Sequence, residues 1–428
     1  MMTTQPLRLG IAGAGTVGAS VLRLLAAQHD LLQQRAGRAF TIQAVSSRSP
    51  EKFNDLALGS ARIEPDVFAL AVAPDIDCVV ELIGGSEGAA KTLVETALRG
   101  GKHVVTANKA LLAQHGYALA LLAEKNGVTL AFEAAVAGGV PIIKALREGA
   151  AANAITRVFG ILNGTCNYIL TQLAQTGRPF AAVLSDAQRL GYAEADPSFD
   201  IDGVDAGHKL AILASLAFGT RIDFSRVSIS GIRALSDIDS AYAAELGYAI
   251  KLLGYAEPGV QRVSPLVVPL TAAIAHVNDV FNAVVFEGDY VGQVMIQGRG
   301  AGGNPTASAV VADLVDIAAN RSSSPFGMPA AQLQSLPVES SDTAPHEYYV
   351  RFMVNDRPGV VSAVAGALAE QGISIKTLQQ RAAAGASVVP LLLTTYAAEA
   401  AALLRAVKTV ETQGLLAEAA VVLPLLVV

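Results

Sequence analysis

The densest group of ionisable side chains in this chain lies between residues 191 and 209. Five carboxylates precede a lysine there, although only 16% of the 428 residues are charged. If a helix begins near Asp202, Asp205 and Lys209 stand four positions apart on one helix face. A carboxylate can orient the lysine as a proton donor, and the other carboxylates can hold a substrate ammonium. A solvated acidic loop and a calcium site remain alternatives, although the spacing departs from an EF-hand loop.

A second lysine, Lys109, directly follows a predicted strand at residues 103–106. Loops at the carboxyl ends of parallel strands line the ligand crevice of doubly wound sheets. Reduction of a carbonyl by hydride produces an alkoxide, which needs a general acid close to the nicotinamide. Lys109 and Lys209 are therefore candidates for this work. Taken alone, a lysine at this position is more often a surface residue at the start of a helix.

A glycine motif of the form GxGxxG follows the first predicted strand and opens a helix. Gly13 permits the tight turn, Gly15 lets backbone N–H groups approach a pyrophosphate, and Gly18 allows close packing of helix on strand. The phosphates then lie at the positive end of the helix, beside Thr16 and Val17. The motif alone is weak evidence, but its position predicts a dinucleotide site.

The end of the second predicted strand bears on the choice of dinucleotide. Residues 44–48 contain no acid that could bind the ribose hydroxyls, and Arg48 follows two serines. An arginine at this point suits a 2′-phosphate, so NADP is favoured over NAD. NAD remains possible, because Arg48 could also be a solvated loop charge.

These residues need a framework, which the alternation of apolar runs and helical stretches predicts. Strand–helix alternation over residues 1–150 predicts an α/β fold with a Rossmann-type doubly wound parallel sheet, the NAD(P)-binding domain. A helix at about 305–320 is expected to return to this domain and complete it. The predicted strands are Leu7–Ala12, Phe40–Ser46, 78–83, 103–106 and 128–132.

Three further segments follow. Residues 151–304 combine polar loops, the carboxylates and strand-like runs, which predicts an α+β domain. The family resemblance described below implies that this domain serves substrate binding, catalysis and dimerisation. Residues 320–345 are rich in Ser, Pro and Gln and lack periodicity, so we predict a linker. Residues 346–428 follow a β-α-β-β-α-β order, typical of a small ferredoxin-like domain.

Composition narrows the class of protein. The net charge of −6 without a basic cluster argues against a nucleic-acid partner. The longest uncharged stretch, residues 158–177, carries too many polar side chains for a membrane span. Cys78 and Cys166 lack the spacing of metal ligands, and the N-terminus lacks the pattern of a signal peptide. We therefore expect a cytoplasmic protein in a reducing compartment, with no membrane partner.

Several blocks resemble homoserine dehydrogenases: residues 163–170, 191–209, 106–109 and 298–306. Together with the glycine motif they extend from residue 13 to about 320. The resemblance implies NAD(P)H-dependent, reversible reduction of L-aspartate 4-semialdehyde to L-homoserine, a step of threonine, methionine and isoleucine biosynthesis. The chain has no aspartate-kinase segment, so we expect a monofunctional protein.

The resemblance also implies roles for residues. Lys209 would exchange the proton with the substrate oxygen, and Lys109 would contact both cofactor and substrate. Glu194 and Asp205 would bind the amino and hydroxyl ends of the substrate, with support from Asp200. Further cofactor contacts are implied at Thr106, Gly191 and Gly302. A monovalent cation, usually sodium in this family, is implied at a stretch of backbone oxygens, namely Glu133, Val136, Gly138 and Val140.

The C-terminal segment resembles the ACT domain family through residues 354–360 and 372–375. In the turn before the helix, exposed N–H groups can receive an amino-acid carboxylate. The effector residues implied are Asn355, Asp356 and Gly359. Threonine is the expected feedback inhibitor, and because ACT domains commonly pair, a homodimer or homotetramer is expected. A module that only oligomerises remains an alternative.

Two rival functions remain. One is another Rossmann reductase of semialdehydes or amino acids; an aspartate-semialdehyde dehydrogenase would need a nucleophilic cysteine, for which Cys166 is the only candidate near the site. The other is a non-catalytic amino-acid sensor, which we would expect to have lost the lysines and carboxylates.

Overall fold

The computed structural model describes residues 5–321, 323–336, 345–380 and 386–426. Their strands form three sheets, two of six strands and one of four. Within these ranges, no helix is both long enough and apolar enough to cross a membrane.

The first sheet is the predicted Rossmann-type sheet, with all its strands parallel in the order β3-β2-β1-β4-β5-β6. Its elements, in chain order, are β1 (Leu7–Ala12), α1 (Thr16–Ala27), α2 (His29–Ala36), β2 (Phe40–Ser46), β3 (Arg62–Glu64), α3 (Ala69–Val72), β4 (Cys78–Glu81), α4 (Ala89–Arg99), β5 (His103–Thr106), α5 (Lys109–Lys125) and β6 (Leu130–Ala131).

Burial explains why these strands read as apolar runs. All four residues of β4 are buried, because helices cover both faces of the sheet. The strand order reverses between β1 and β4, which pair side by side. A crevice therefore opens beyond their carboxyl ends, at the point where such folds bind dinucleotides.

The second sheet has the order β12-β11-β7-β9-β10-β8 and is antiparallel except for the β8–β10 pair. The elements of this part of the chain are α6 (Ile142–Lys144), β7 (Ile155–Ile161), α7 (Gly164–Thr176), α8 (Phe180–Arg189), α9 (Ser198–Ile201), α10 (Val204–Phe218), β8 (Ser228–Ile229), α11 (Asp237–Glu245), β9 (Tyr248–Glu257), β10 (Val260–Pro269), β11 (Phe281–Gly288) and β12 (Gly292–Arg299).

Helix α10 lies at the junction of the two large domains. It packs on β7, β9 and β10 of the second sheet and on α5 of the first domain. Its residues from Asp205 to Leu216 are all buried, which fits a helix that is apolar on nearly every side. The few polar side chains on α10 are therefore held in a largely water-free setting.

The chain then returns to the first domain through α12 (Gly303–Ala318), as predicted. Helix α12 packs against α1, and Val310 and Leu314 belong to the same apolar core as the Rossmann strands. The contact is close at Gly303, where an added Cβ would collide with the Ser20 hydroxyl.

Part of the predicted linker is packed rather than free. Phe326, Ala330 and Leu333 are buried in the core that the first and second domains share, and Gln334 pairs with Thr220. Three apolar side chains among many polar ones are enough to pack this stretch against the rest of the protein, although they form no periodic pattern. Residues 322 and 337–344 of the predicted linker lie outside the described residues.

The C-terminal domain has the sheet order β14-β15-β13-β16, all antiparallel, which is the ferredoxin-like arrangement. The fold class predicted from the sequence is thereby confirmed in all three parts. The final predicted strand ends at Pro424, and residues 427–428 lie outside the described residues. The elements are β13 (Tyr348–Asn355), α13 (Val360–Glu370), β14 (Ile375–Gln380), β15 (Val388–Thr395), α14 (Ala400–Thr412) and β16 (Val421–Pro424).

The C-terminal sheet is covered on both faces. Val350 and Phe352 point into a core shared with α13 and α14, whereas Tyr349 and Leu423 join the core of the second domain. The backbone contact continues beyond β16, where the Leu426 N–H donates to the Val267 carbonyl over 2.8 Å. The C-terminal domain is therefore integrated with the catalytic part.

Candidate active site

A cavity of about 640 Å³ lies at the carboxyl ends of the first sheet, where the two large domains meet. The nucleotide domain contributes Val17 and Ala107 to its lining, and α10 contributes Asp205 and Lys209. The remaining lining comes from both domains, including Lys109 of the first and Gly191 and Glu194 of the second. The strand ends and the buried helix α10 therefore converge on one chamber.

The glycine turn at the start of α1 has the geometry expected for a phosphate site. Gly13 adopts a φ of 115°, and an added Cβ there would lie 2.6 Å from the Leu82 carbonyl oxygen. At Gly18 an added Cβ would collide with the Gly13 carbonyl, whereas at Gly15 it would meet nothing within 4 Å. Gly13 and Gly18 are thus required by packing, and Gly15 leaves space for a ligand at the helix N-terminus.

Arg48 lies close to this turn. The carbonyl of Ser46, the last residue of β2, accepts the Gly13 N–H over 2.8 Å. Arg48 follows two positions later and is exposed, so its guanidinium is accessible from the side on which the adenosine ribose lies in such folds.

Lys209 and Asp205 form the centre of the site. The Lys209 ammonium donates to Asp205 Oδ2 over 2.7 Å and to the Leu162 carbonyl over 2.7 Å. The side chains are only 11% and 7% exposed. The expected spacing on one helix face is confirmed, with α10 beginning at Val204 because Gly203, with a φ of 87°, ends the preceding turn.

Lys109 reaches the same carboxylate from the first domain. Its Nζ lies 3.1 Å from Asp205 Oδ1, and its side chain is 33% exposed. Burial would raise the pKa of Asp205, but the charges of Lys209 and Lys109, with hydrogen bonds from Lys209 and Asn163, hold it well below its usual range. Asp205 therefore stays ionised and joins the two lysines.

Asn163 organises the remaining carboxylates. Its Nδ2 donates to Asp205 Oδ2 over 2.9 Å and to Asp200 Oδ1 over 2.8 Å, while its Oδ1 caps α7 by accepting the Cys166 N–H over 2.8 Å. Burial and the charge of Asp205 raise the pKa of Asp200. The sequence analysis assigned no role to Asn163, although an asparagine before a glycine-opened helix is a recognisable cap.

The other predicted residues fall into two groups. Glu194, Gly191 and Gly302 line the cavity, and so does Gly138, which was implied at the cation stretch. Thr106 is completely buried instead, and its hydroxyl donates to Glu81 Oε2 over 2.6 Å.

Glu81 was missed by the sequence analysis, since it reads as the last residue of an apolar strand. It is fully buried, and its Oε1 accepts the N–H groups of Ile83 (2.7 Å) and Gly84 (3.0 Å). Through the Thr106 hydroxyl it ties the end of β4 to the end of β5, directly before Lys109. Thr106 and Glu81 thus hold in place the strand ends that border the crevice.

The predicted cation stretch is buried and tightly folded, with left-handed φ values of 54° at Ala137 and 49° at Gly138. The Glu133 carboxylate is already engaged, because its two oxygens accept the N–H groups of Ile143 (3.0 Å) and Lys144 (2.9 Å). Burial and the charge of Asp313 raise the pKa of Glu133 to about 7. The Glu133 carboxylate is therefore not available to a cation, which would have to be held by backbone oxygens of this stretch. Across the described ranges, no cluster of three or more His, Cys, Asp or Glu side chains is arranged to hold a metal.

Cys166 is not placed as a nucleophile. It is fully buried in α7, and its thiol donates to the Asp200 carbonyl over 3.2 Å. Burial and the neighbouring carboxylates raise its pKa well above the ordinary value, so a thiolate is disfavoured.

The predicted effector residues lie on the C-terminal domain, at the turn between β13 and α13. The Asp356 N–H donates to the Ser387 carbonyl over 2.9 Å, and Gly359 begins α13 with a φ of 92°. Asp356 and Gly359 are exposed, and Asn355 is partly exposed at the end of β13. This turn is accessible to a ligand.

A dinucleotide-type glycine turn and a buried lysine–carboxylate pair share one cavity, which defines a nicotinamide-dependent oxidoreductase. Comparison with known proteins refines this class. The family model described as homoserine dehydrogenase matches residues 141–315, and the model of the homoserine dehydrogenase NAD-binding domain matches residues 13–133. The ACT domain model matches residues 348–411.

Similar proteins agree over nearly the whole length. A homoserine dehydrogenase of Pseudomonas aeruginosa is 46% identical over 92% of both chains. The crystal structure of a homoserine dehydrogenase from Thiobacillus denitrificans, 41% identical, aligns with a TM-score of 0.92 over 100% of this chain and 99% of that one. A hyperthermophilic archaeal homoserine dehydrogenase in complex with NADPH, 25% identical, aligns with a TM-score of 0.64 over 75% of this chain and 100% of its own.

The chain belongs to the homoserine dehydrogenase family. It is an oxidoreductase that acts on a CH–OH group with a nicotinamide cofactor, and it carries an ACT domain. The resemblance stated from the sequence is confirmed.

Proposed function

We propose that this chain interconverts L-aspartate 4-semialdehyde and L-homoserine with Lys209 as the group that gives and takes the proton at the substrate oxygen. The observation that carries this assignment is the Lys209 ammonium, oriented by Asp205 and the Leu162 carbonyl on the wall of the cavity. When bound, the nicotinamide supplies the hydride or accepts it.

The surrounding residues orient the reactants. Asp205 stays ionised, so it keeps the Lys209 ammonium directed and can accept a hydrogen bond from the substrate hydroxyl. Lys109, beside Asp205, reaches both the nucleotide side and the substrate side of the cavity. Glu194 and Asp200 provide carboxylates for the substrate ammonium, and Asn163 keeps Asp200 and Asp205 apart by donating to both.

A spectrophotometric assay tests this function directly. We expect the purified chain to reduce NADP in the presence of L-homoserine and to oxidise NADPH in the presence of L-aspartate 4-semialdehyde. A chain that binds NADP but turns over neither substrate would contradict the assignment. Activity on other short hydroxy amino acids alone would favour the broader class of Rossmann amino-acid reductases.

We further infer a preference for NADP, supported by Arg48 beside the glycine turn. A monovalent cation, with sodium as the first candidate, is proposed at the backbone oxygens of Glu133, Val136, Gly138 and Val140. Thermal unfolding in sodium chloride against choline chloride at equal ionic strength tests the cation. A higher melting temperature in sodium chloride is expected, and equal temperatures would contradict it.

Threonine is proposed as a feedback inhibitor that binds at the turn holding Asn355, Asp356 and Gly359. Replacing Asp356 with Ala should raise the threonine concentration needed for half-inhibition and leave basal turnover unchanged. Glu370→Ala, an exposed carboxylate at the end of α13, is the matched control. Unchanged inhibition in Asp356→Ala would show that threonine does not bind at this turn.

We also propose a homodimer or homotetramer. Support comes from the C-terminal domain, where Leu378 and Tyr396 are 42% and 55% exposed and provide apolar surface for a second copy. Light scattering on the eluting protein gives the mass, and a monomer at micromolar concentration would contradict the proposal. The domain limits and the cytoplasmic location remain predictions from the sequence.

A further inference from the structure

Asn282, on β11, is a buried amide without an internal partner. Its side chain is 1% exposed, and within the described part of the chain neither its Oδ1 nor its Nδ2 has a hydrogen-bond partner. Leaving a buried polar group unpaired lowers stability, so an asparagine at such a position needs an explanation. A bound ligand would provide one.

The position of Asn282 is fixed by its surroundings. Asn167 Nδ2 donates to the carbonyls of Val277, Asp279 and Phe281 over 3.1, 2.9 and 3.1 Å, which holds the turn before Asn282. The Lys251 ammonium adds a hydrogen bond to the Val277 carbonyl over 2.6 Å. Strand β11 is paired on both sides, with β7 and β12. The backbone that carries Asn282 is therefore held in place.

The Asn282 side chain lies at the wall of the active-site cavity. An added Cβ at Gly300 would collide with the Asn282 amide, and one at Gly164 would lie 3.5 Å from Asn282 Oδ1. Gly138 and Gly302 line the same cavity. Gly300 lines the cavity and packs directly against the Asn282 amide, so the amide adjoins a stretch of wall that is formed by backbone. A flat ring can lie against such a stretch.

The chemistry of an amide selects the ligand. Asn282 presents one donor and one acceptor side by side, so its best partner presents an acceptor and a donor in the reverse order. In the proposed reaction, the substrate carboxylate only accepts and the substrate ammonium only donates. The carboxamide of the nicotinamide ring offers both from a single planar group.

We propose that Asn282 binds the nicotinamide carboxamide and thereby fixes which face and which edge of the ring point towards the Lys209 side of the cavity. This inference rests on the proposed function for the identity of the cofactor. Orienting the ring is valuable because hydride transfer needs the reacting carbons held in near-attack geometry. Asn282 is accordingly a cofactor-positioning residue.

The experiment compares two cofactors and two side chains by isothermal titration calorimetry. NADP is compared with its 3-acetylpyridine analogue, in which a methyl group replaces the carboxamide NH₂ and the donor is lost. We expect the unaltered chain to bind NADP about 10-fold more tightly than the analogue, and Asn282→Ala to bind both within about 3-fold of each other. Asn282→Asp, which loses the donor but keeps an acceptor for the carboxamide NH₂, should weaken the binding of both cofactors and keep the discrimination.

Val280→Ala is the matched control, because Val280 lines the same cavity without a polar side chain. It should alter the two affinities by the same factor and so preserve their ratio. Because the Asn282 side chain makes no hydrogen bond within the described chain, Asn282→Ala should keep the melting temperature within about 4 °C.

Three results would overturn the proposal: no discrimination by the unaltered chain, discrimination retained in Asn282→Ala, or a raised KM for homoserine with cofactor affinities unchanged. Because the readout is cofactor binding, it does not depend on turnover. If the chain binds NADP with this discrimination but does not oxidise homoserine, the proposed function is contradicted and the role of Asn282 is still supported.

Discussion

At the residue scale, the central contact is the hydrogen bond between the Lys209 ammonium and Asp205. If Lys209 is the proton donor, Lys209→Ala should lower kcat by about 10²–10⁴-fold and leave the affinity for NADP unchanged. Steady-state rates and cofactor titration measure the two effects separately. The exposed Lys125 provides the control, since Lys125→Ala should leave both values unchanged. Near-normal turnover in Lys209→Ala would exclude this lysine as the acid.

The second prediction at the residue scale concerns Arg48. Loss of a charge-assisted hydrogen bond to a 2′-phosphate costs about 1.5–3 kcal/mol, so Arg48→Ala should weaken NADP binding by at least about 10-fold. Binding of NAD, which lacks that phosphate, should stay the same. Arg35→Ala, an exposed arginine on α2, should change neither affinity. A variant with an unaltered NADP-to-NAD ratio would show that Arg48 is a solvated loop charge.

Which of these residues the sequence could reveal depends on their separation along the chain. Asp205 and Lys209 are four positions apart on one helix, so their contact follows from helical periodicity. The bond from Asn163 to Asp205 spans 42 positions, and Glu81 meets Thr106 across 25. The unpaired amide of Asn282 is recognisable only when the backbone around it is known.

At the element scale, the turn before β11 depends on Lys251 of β9. Burial lowers the pKa of Lys251 to about 8, so the folded chain releases this proton below the unfolded value of 10.5. Between those values the unfolded state binds more protons, and this group makes stability rise with pH. The slope from one proton is at most about 1.4 kcal/mol per pH unit.

Removing the titrating group should remove this contribution. Lys251→Met should therefore show a smaller gain, or a larger loss, of unfolding free energy between pH 8 and 10.5 than the unaltered chain. Urea unfolding at a series of pH values measures the difference. Parallel curves for the two proteins would contradict a depressed pKa at Lys251.

Most elements could be predicted because the apolar periodicity of the sequence matches the burial pattern in the fold. Where an observed end differs from the predicted one, a local cause can be identified. Helix α10 begins at Val204 rather than near Asp202, since Gly203 takes a left-handed conformation. The last strand of the first sheet shortens from 128–132 to Leu130–Ala131, pairing with β5 at only two positions. Residues 323–336 pack through scattered apolar side chains, which no periodic pattern reveals.

At the scale of the whole molecule, a buried ion pair is among the contacts that join the ACT domain to the catalytic part. Asp239 of α11 is fully buried, and its Oδ1 accepts from Arg351 Nε over 2.7 Å and from the Tyr349 hydroxyl over 3.0 Å. Its Oδ2 caps α11 by accepting from Ser236. Arg351 and Tyr349 lie on β13, the strand that ends at the proposed effector turn.

Removing one partner of a buried ion pair leaves an uncompensated charge, so Arg351→Ala should lower the free energy of unfolding by about 3–5 kcal/mol. The double variant Asp239→Asn, Arg351→Met should recover part of this loss, because no charge is left unpaired. Arg405→Ala, which removes an exposed hydrogen bond within the ACT domain, should cost much less. Equal losses for Arg351→Ala and Arg405→Ala would show that the buried pair is not an anchor.

Helix α12 has a consequence for how the molecule is made. The core of the first domain includes Val310 and Leu314, yet the strands of that domain are all synthesised before residue 132. The ribosome must therefore synthesise the whole second domain before α12, the packing partner of α1, becomes available. Until then the nascent chain exposes the apolar side of α1, a surface that a chaperone would be expected to shield.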